Sequence, residues 1–302
     1  MKRYAFIDAQ KATYPVALIC RMLKVSRSAY YAWAQARRAA LRDPMGGLSD
    51  RQVTRAVLTA AVAGFHAESH GTYGAPRITA DLREAGHTVS CKTVAKIMRR
   101  NGLAGCQPRG FRKTTVPDDQ WIGRRRDLIK RVFNANSPDR KWFSDITYLK
   151  TWEGWSYMAT VIDGCTRQVV GYAIADHMRV DLVTQALDMA ITNRQPPPGL
   201  ILHTDRGAQY TSEALEKYAA SHGIRLSVGA VGACWDNALA ESFFGVVKNE
   251  LVYRQAWPTR ARLRSALILW IEGWYNDRRR HSAIGMISPN TYERRLRYPV
   301  AA

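Results

Sequence analysis

The chain has 302 residues, a length that suits a catalytic core with one or two appended modules. With 46% hydrophobic and 10% aromatic residues it can bury a sizeable core, which excludes wholesale disorder. A formal net charge of +20 points to a polyanion as partner, nucleic acid before RNA-only or membrane-surface alternatives.

Residues 1–42 read as helices. Tyr14-Pro15 precedes an apolar-periodic run (Val16, Leu18, Ile19, Met22, Leu23), Val25 marks a turn, and Ser26 is placed to cap a second helix carrying Arg27, Ser28, Tyr30, Tyr31 and Trp33. A helix, a short turn and a capped helix with polar and aromatic residues in its first turn is the helix-turn-helix pattern, though other helical hairpins share it. It recurs over 46–106. Pro76 opens a helix with Ile78 and Leu82 on one face, Gly86 stops it, and Ser90 caps a helix with Val94, Ile97 and Met98 inward. Lys92, Lys96, Arg99 and Arg100 fall on the outer face. Residues 107–138 read as a basic linker rich in Gly and Pro, with Arg112, Lys113 and the Arg124-Arg125-Arg126 run.

From 139 to 252 the pattern turns α/β. Trp142–Leu149, Trp155–Ile162 and Gln168–Ala175 are strand-like, with Asp163-Gly164 as a hairpin signal. A helix over Asp181–Thr192, a short strand Leu200–Thr204, a helix Glu213–His222, a strand Ile224–Val228 and a helix capped by Asp236 or Asn237 follow. Three strands and then alternating helices and strands is the order of an RNase H-like fold. Residues 253–302 read as a helical, basic C-terminal segment, with Arg278-Arg279-Arg280-His281 at its centre.

No stretch of about 18 apolar residues occurs and the N-terminus carries no apolar run, so a cytoplasmic location, on the bacterial nucleoid, is expected. The five cysteines (Cys20, Cys91, Cys106, Cys165, Cys234) are odd in number and scattered, which suits reduced, mostly buried thiols. The charge is unevenly spread. Residues 141–252 hold 9 Lys/Arg against 12 Asp/Glu, net −3, while the rest holds 36 against 13, net +23. An acidic island between basic flanks fits a metal site to which flanking modules deliver a nucleic acid.

Phosphodiester chemistry needs an attacking oxygen activated and a leaving oxygen stabilised, and two divalent cations held by carboxylates do both. Asp145 lies mid-strand, Asp205 at the end of an apolar strand, and Glu241 in the first turns of a helix. Asp163 is explained by its turn, Asp181, Glu213 and Asp236 by helix starts, and Glu250 as a solvated helix position. Lys248 is two helical turns beyond Glu241 on the same face, within reach of a scissile phosphate. His203 is expected to support Asp205, and His281 to pack or to touch phosphate.

Asp145, Asp205 and Glu241 are separated by 59 and then 35 residues, which resembles the D,D(35)E arrangement of retroviral integrases and related bacterial transposases. Five co-linear words are closer still to one group: Tyr73-Gly74-x-Pro76-Arg77-Ile78, Trp142-Phe143-Ser144-Asp145-Ile146-Thr147-Tyr148, His203-Thr204-Asp205-Arg206-Gly207-Ala208-Gln209-Tyr210, Asn237-x-x-x-Glu241-Ser242-Phe243-Phe244-x-x-x-Lys248 and Tyr275-Asn276-x-x-Arg279-x-His281-Ser282. These resemble the orf-B-encoded subunit of frameshifting insertion-sequence transposases, over nearly the whole chain. The resemblance implies an RNase H-like integrase-type core, an N-terminal helix-turn-helix region and a basic helical C-terminus. It implies two Mg²⁺ ions (Mn²⁺ substituting), with Asp145 bridging both, Asp205 on one and Glu241 on the other. Gln209, Tyr210, Asn237, Lys248, Arg279 and His281 are then expected at DNA, along with Arg27, Ser28, Tyr30, Lys92, Lys96 and the linker arginines. Expected partners are double-stranded DNA (terminal inverted repeats and target), a second copy on DNA and an orf-A-encoded partner or fusion. Zinc is not expected, because His66 and His70 lack paired cysteines.

The expected activity is metal-dependent 3′-end cleavage followed by strand transfer, without a covalent protein–DNA intermediate. The competing readings are a catalytically silent DNA-binding repressor derived from a transposase and an RNase H-like structure-specific nuclease. The intact acidic triad argues against the first, and the helix-turn-helix units and basic arms against the second.

Overall fold

A computed structural model describes residues 2–42, 49–106, 127–130, 132–229 and 237–298. They fall into two compact units, Met1–Ala61 and Val62–Ala302. In the first, α1 (Lys2–Gln10), α2 (Val16–Met22) and α3 (Arg27–Arg42) surround Ile7, Ile19, Cys20, Tyr30 and Ala34. Ser26 Oγ accepts from the Ala29 amide at 3.2 Å, which satisfies one of the free N–H groups at the start of α3. A helix that the sequence reading did not single out, α4 (Asp50–Glu68), runs from this unit into the second. Its signal was a capping box: Gln52 Oε1 accepts from the Ser49 amide at 2.9 Å.

In the second unit, α5 (Ala75–Glu84) buries Ile78 and Leu82, and α6 (Cys91–Arg100) buries Val94, Ile97 and Met98 under a Ser90 cap. A five-stranded sheet follows, ordered β3-β2-β1-β4-β5: β1 (Lys141–Thr151), β2 (Gly154–Asp163), β3 (Val169–Ala175), β4 (Ile201–Thr204) and β5 (Arg225–Val228). The first three strands are antiparallel, while β4 and β5 run parallel to β1. This is the RNase H-like arrangement that the element order implied. Strand alternation splits β1 between two cores. Trp142 enters the layer under α7 (Val180–Arg194) and α9 (Glu213–Ser221), whereas Phe143 and Leu149 enter the layer under α10 (Ala238–Glu250). The α7 layer lies so close that a Cβ at Gly171 would sit 2.2 Å from the Ala186 carbonyl oxygen.

Residues 253–298 are helical, but they do not hang from the core. After a one-turn 3-10 helix (Val252–Arg254), α11 (Arg260–Leu269) and the π-helical turn Trp270–Asn276 send Leu263, Leu267, Trp270, Ile271 and Tyr275 into the α10 layer. Asn276 exchanges two 2.9 Å hydrogen bonds with the Val169 backbone and so serves as a partner for edge strand β3. The last helix is α12 (Pro289–Arg297). Asp163 is buried and accepts from the Cys165 and Thr166 amides and, through its other oxygen, from Asp139, which confirms its turn-holding role.

Two expectations are corrected. Glu250 is not solvated: it is buried and takes two hydrogen bonds from Arg279, at 2.8 and 2.6 Å. Cys91 is exposed at the start of α6, because the helix turns its apolar stripe elsewhere, while Cys20 and Cys165 are buried. Among the described residues no helix is long and apolar enough to cross a membrane.

Candidate active site

The sheet pairs Ser144 of β1 with Thr204 of β4, so Asp145 and Asp205 are the next residues along two adjacent parallel strands. Asp145 shares a face of β1 with Phe143 and Leu149, the face covered by α10. The start of α10 is tied down there: Asn237 Nδ2 donates to the Ser144 carbonyl at 3.0 Å, and one turn later comes Glu241. Asn237 occupies the N-cap position without capping, since its side chain is spent on β1. Asp236 lies outside the described residues.

The three carboxylates act on one another. Burial holds Asp145 well above the usual carboxylate range, and the neighbouring charges of Asp205 and Glu241 push it further. The Ile146 amide (2.8 Å) and the Lys248 ammonium oppose the shift. Asp205 is raised by desolvation, against the pull of the Gly207 amide at 3.0 Å. Glu241, exposed at the rim, is raised by desolvation and then by Asp205. Lys248 is half-buried with its ammonium 5.1 Å from the centre of the Tyr148 ring; burial lowers it, and Asp145 counteracts. Among the described residues, none of the three carboxylates has a salt-bridge partner within 4 Å. Nor, among those residues, is any group of three His, Cys, Asp or Glu side chains drawn close enough to hold an ion as it stands.

The donor set nonetheless suits a hard divalent cation, since it offers carboxylate oxygens alone. Two buried oxygens beside it lack a hydrogen-bond partner among the described residues: Asn237 Oδ1, and Oγ1 of Thr160, which pairs directly opposite Asp145 on β2. Sequence reasoning missed Thr160 and Ser144. Their signal was register, a hydroxyl inside an apolar strand, and only pairing shows which strand position it faces.

The other expected site residues scatter. Tyr210, on the short helix α8 (Ala208–Thr211), is buried with its hydroxyl 2.9 Å from Ser144 Oγ, and so braces β1 from below. His203 is buried between Phe143 and Ser227, with Nδ1 2.9 Å from the Ser227 hydroxyl, a supporting position. Gln209 donates to the Met178 carbonyl. Tyr30 is buried and donates to Asp8 at 3.1 Å, which makes it a packing residue. Arg279 is buried on Glu250, and His281 stands edge-on to Tyr275 at 4.8 Å. Arg27, Ser28, Lys92 and Lys96 are exposed. Arg112, Lys113, Arg124, Arg125 and Arg126 lie outside the described residues. Two of the five sequence words meet each other rather than the site. Tyr73 Oη accepts from the Arg280 amide at 2.7 Å, Arg77 donates to the Arg280 carbonyl at 3.0 Å, and Asp81 and Glu84 hold the Arg280 guanidinium.

The mixed sheet that carries Asp145 on β1, Asp205 at the end of β4 and, beside it, Glu241 at the start of α10 has the fold of an integrase-type core. The integrase core domain family matches residues 135–234, a second integrase core family matches 222–289, and an HTH-like domain family matches 53–111. Transposase InsF for insertion sequence IS3A of Escherichia coli (strain K12) is 37% identical over 296 residues, covering 96% of this chain and 98% of that one. The "Insertion element IS600 uncharacterized 31 kDa protein" of Shigella sonnei is 34% identical over 274 residues, 91% of this chain and 97% of that one. The chain belongs to the IS3-type family of insertion-sequence transposases. A cryo-electron-microscopy structure of a simian T-cell lymphotropic virus intasome in complex with a PP2A regulatory subunit aligns loosely: TM-score 0.47, 17% identity, 80% of this chain and 77% of that one.

Proposed function

We propose that this chain cuts and joins DNA at the ends of its insertion sequence by divalent-metal-dependent transesterification. The observation that carries the reading is the placement of Asp145 on β1, Asp205 at the end of the neighbouring parallel strand β4 and Glu241 in the first turn of α10, which Asn237 ties to Ser144, with Lys248 acting on Asp145. Gathering like charges is costly, and a chain that only bound DNA would gain nothing by placing them where phosphate must approach.

Asp145, Asp205 and Glu241 would hold two Mg²⁺ ions, with Mn²⁺ able to substitute. The metal pair would supply Lewis-acid activation of the attacking oxygen and charge relief at the leaving oxygen. Lys248 would bind the phosphate beside the scissile bond, and Tyr210 and Asn237 hold β1 and α10 in place beneath it. Water would be the first attacker, freeing a 3′-OH, and that hydroxyl the second, so no Ser or Tyr nucleophile is needed. The module over 1–45, the helices of 46–106 and the linker 107–138 would bind the terminal inverted repeats, with Arg27, Ser28, Lys92 and Lys96 on the outside. Two ends joined in one event call for at least two copies on DNA, and an orf-A-encoded partner or fusion completes the assembly.

The test is joining of end-containing oligonucleotides to target DNA with and without Mg²⁺. Wild type should join only with metal, and Asp205→Asn should fall to background. Undiminished joining by Asp205→Asn defeats the reading.

A further inference from the structure

A cavity of about 700 Å³ opens on an adjoining face of α10, lined there by Leu239, Ser242 and Val246. Its wall carries Arg77, Arg167, Arg279 and His281, and no described Asp or Glu lines it. Among the described residues one carboxylate is ion-paired with these guanidinium groups, Glu250, while Asp163 acts on Arg167 without pairing with it. Glu250 is paired at 2.6 Å with Arg279 and only at 3.9 Å with Arg77. Arg167 donates one Nη to the neutral Asn134 side chain, and its Nε is buried with no hydrogen-bond partner among the described residues. His281 Nε2 is likewise buried with none. Three guanidinium groups and an imidazole line one space, and Arg167 and His281 each keep a buried nitrogen with no hydrogen-bond partner among the described residues, a set that an anion with several acceptor oxygens would complete.

We propose that this cavity binds a phosphate group, and that on DNA the phosphate belongs to the strand lying along α10 beside the carboxylates. The DNA half of this rests on the strand-transfer reading above; the phosphate half stands without it. Burial, and then the charges of Arg279, Arg77 and Arg167, hold His281 well below its ordinary value, so it faces the cavity as a neutral imidazole able to donate one N–H. Burial also lowers Arg77 and Arg167, the direction expected for guanidinium groups short of counter-charge. A phosphate in the cavity would offer oxygens to the Arg167 guanidinium and the His281 imidazole. A strand held there would be anchored beside the helix that carries Glu241 and Lys248, which fixes its register at the reacting rim.

The experiment uses the full chain in EDTA. Thermal unfolding is followed in potassium phosphate and in potassium chloride at equal ionic strength, and binding of an end-containing duplex is measured across a salt series. Wild type should unfold higher in phosphate by roughly 2–4 °C, and Arg167→Gln should abolish that difference. The same variant should weaken duplex binding and lower the steepness of log K against log salt by about 1. If Arg167→Gln folds poorly, the wild-type His281 imidazole ¹⁵N resonance serves instead, and it should move on adding phosphate but not chloride. Equal behaviour in the two salts, or an unmoved His281 resonance, overturns the site. A phosphate response lost in Arg167→Gln with duplex binding and salt slope unchanged overturns the DNA assignment and leaves a free anion as ligand. Since no metal is present in these measurements, failure of strand transfer would strike the carboxylate reading alone.

Discussion

The Asn237 amide donates to the Ser144 carbonyl at 3.0 Å, and this one bond sets where Glu241 stands relative to Asp145. It joins residues 93 apart in sequence, one immediately before a carboxylate on β1 and the other one turn before a carboxylate on α10. Asn237→Ala leaves the carbonyl of the buried Ser144 with one hydrogen bond fewer, a loss of about 1–3 kcal/mol. The fold should survive, but strand joining should drop about 100-fold, because a small displacement of Glu241 spoils the metal geometry. Joining within twofold of wild type, measured beside a thermal melt, would remove Asn237 from the positioning role.

Asp145 links stability to pH. Its folded-state value is raised above its unfolded one, so at acid pH, with both states protonated, it carries no penalty. As pH rises from the ordinary carboxylate range through the raised value, the unfolded chain ionises more readily and metal-free stability is lost. Asp145→Asn should therefore melt several degrees higher than wild type in EDTA at neutral pH, and the gap should close in acid. Mg²⁺ should stabilise wild type increasingly with pH, because binding requires ionised carboxylates, and should leave Asp145→Asn unmoved. An Asp145→Asn protein no more stable than wild type in EDTA at neutral pH would refute this account.

Lys248 is the cation that favours ionised Asp145. Replacing it by Met takes that charge away, so Asp145 rises further and the acid limb of the pH–rate profile moves to higher pH. The maximal rate should also fall, on the order of 100-fold, if the ammonium stabilises charge on the reacting phosphate. Lys248→Arg should restore the position of the limb. A profile unchanged in Lys248→Met would mean that the lysine serves only to pack on Tyr148.

The Arg279–Glu250 pair, with both side chains almost fully buried, can be broken from one side or replaced from both. Arg279→Met strands a buried carboxylate and should cost about 3–5 kcal/mol in urea unfolding, while Arg279→Met/Glu250→Met should recover most of the loss. A single variant within about 1 kcal/mol of wild type, or a double variant no better than the single, would show that the pair is not what holds the tail to α10.

The element order, the capped helices and the placement of Asp145, Asp205 and Glu241 on their elements were legible because each depends on local rules. Strand alternation marked β1, Ser90 and Ser26 marked helix starts, and the spacing of Asp205 and Glu241 put one at a strand end and the other at a helix start. Helix α4 was passed over although Ser49 and Gln52 carried its signal, because its apolar residues form no clean stripe.

Sequence by itself determined which residues are acidic, which elements carry them and which family the chain belongs to, since those follow from nearest-neighbour chemistry and from motif words. Only the tertiary structure decided which charges meet. In sequence Glu250 looks like a solvated helix position and Arg279 like a DNA contact, yet the fold makes them a buried pair. Tyr30 and Tyr210 look like DNA contacts, yet they are inside. Arg167 carries no motif at all, and only folding sets it on the wall of the cavity that His281 also lines. Burial and pairing are properties of residues distant along the chain, so no local pattern could have shown them.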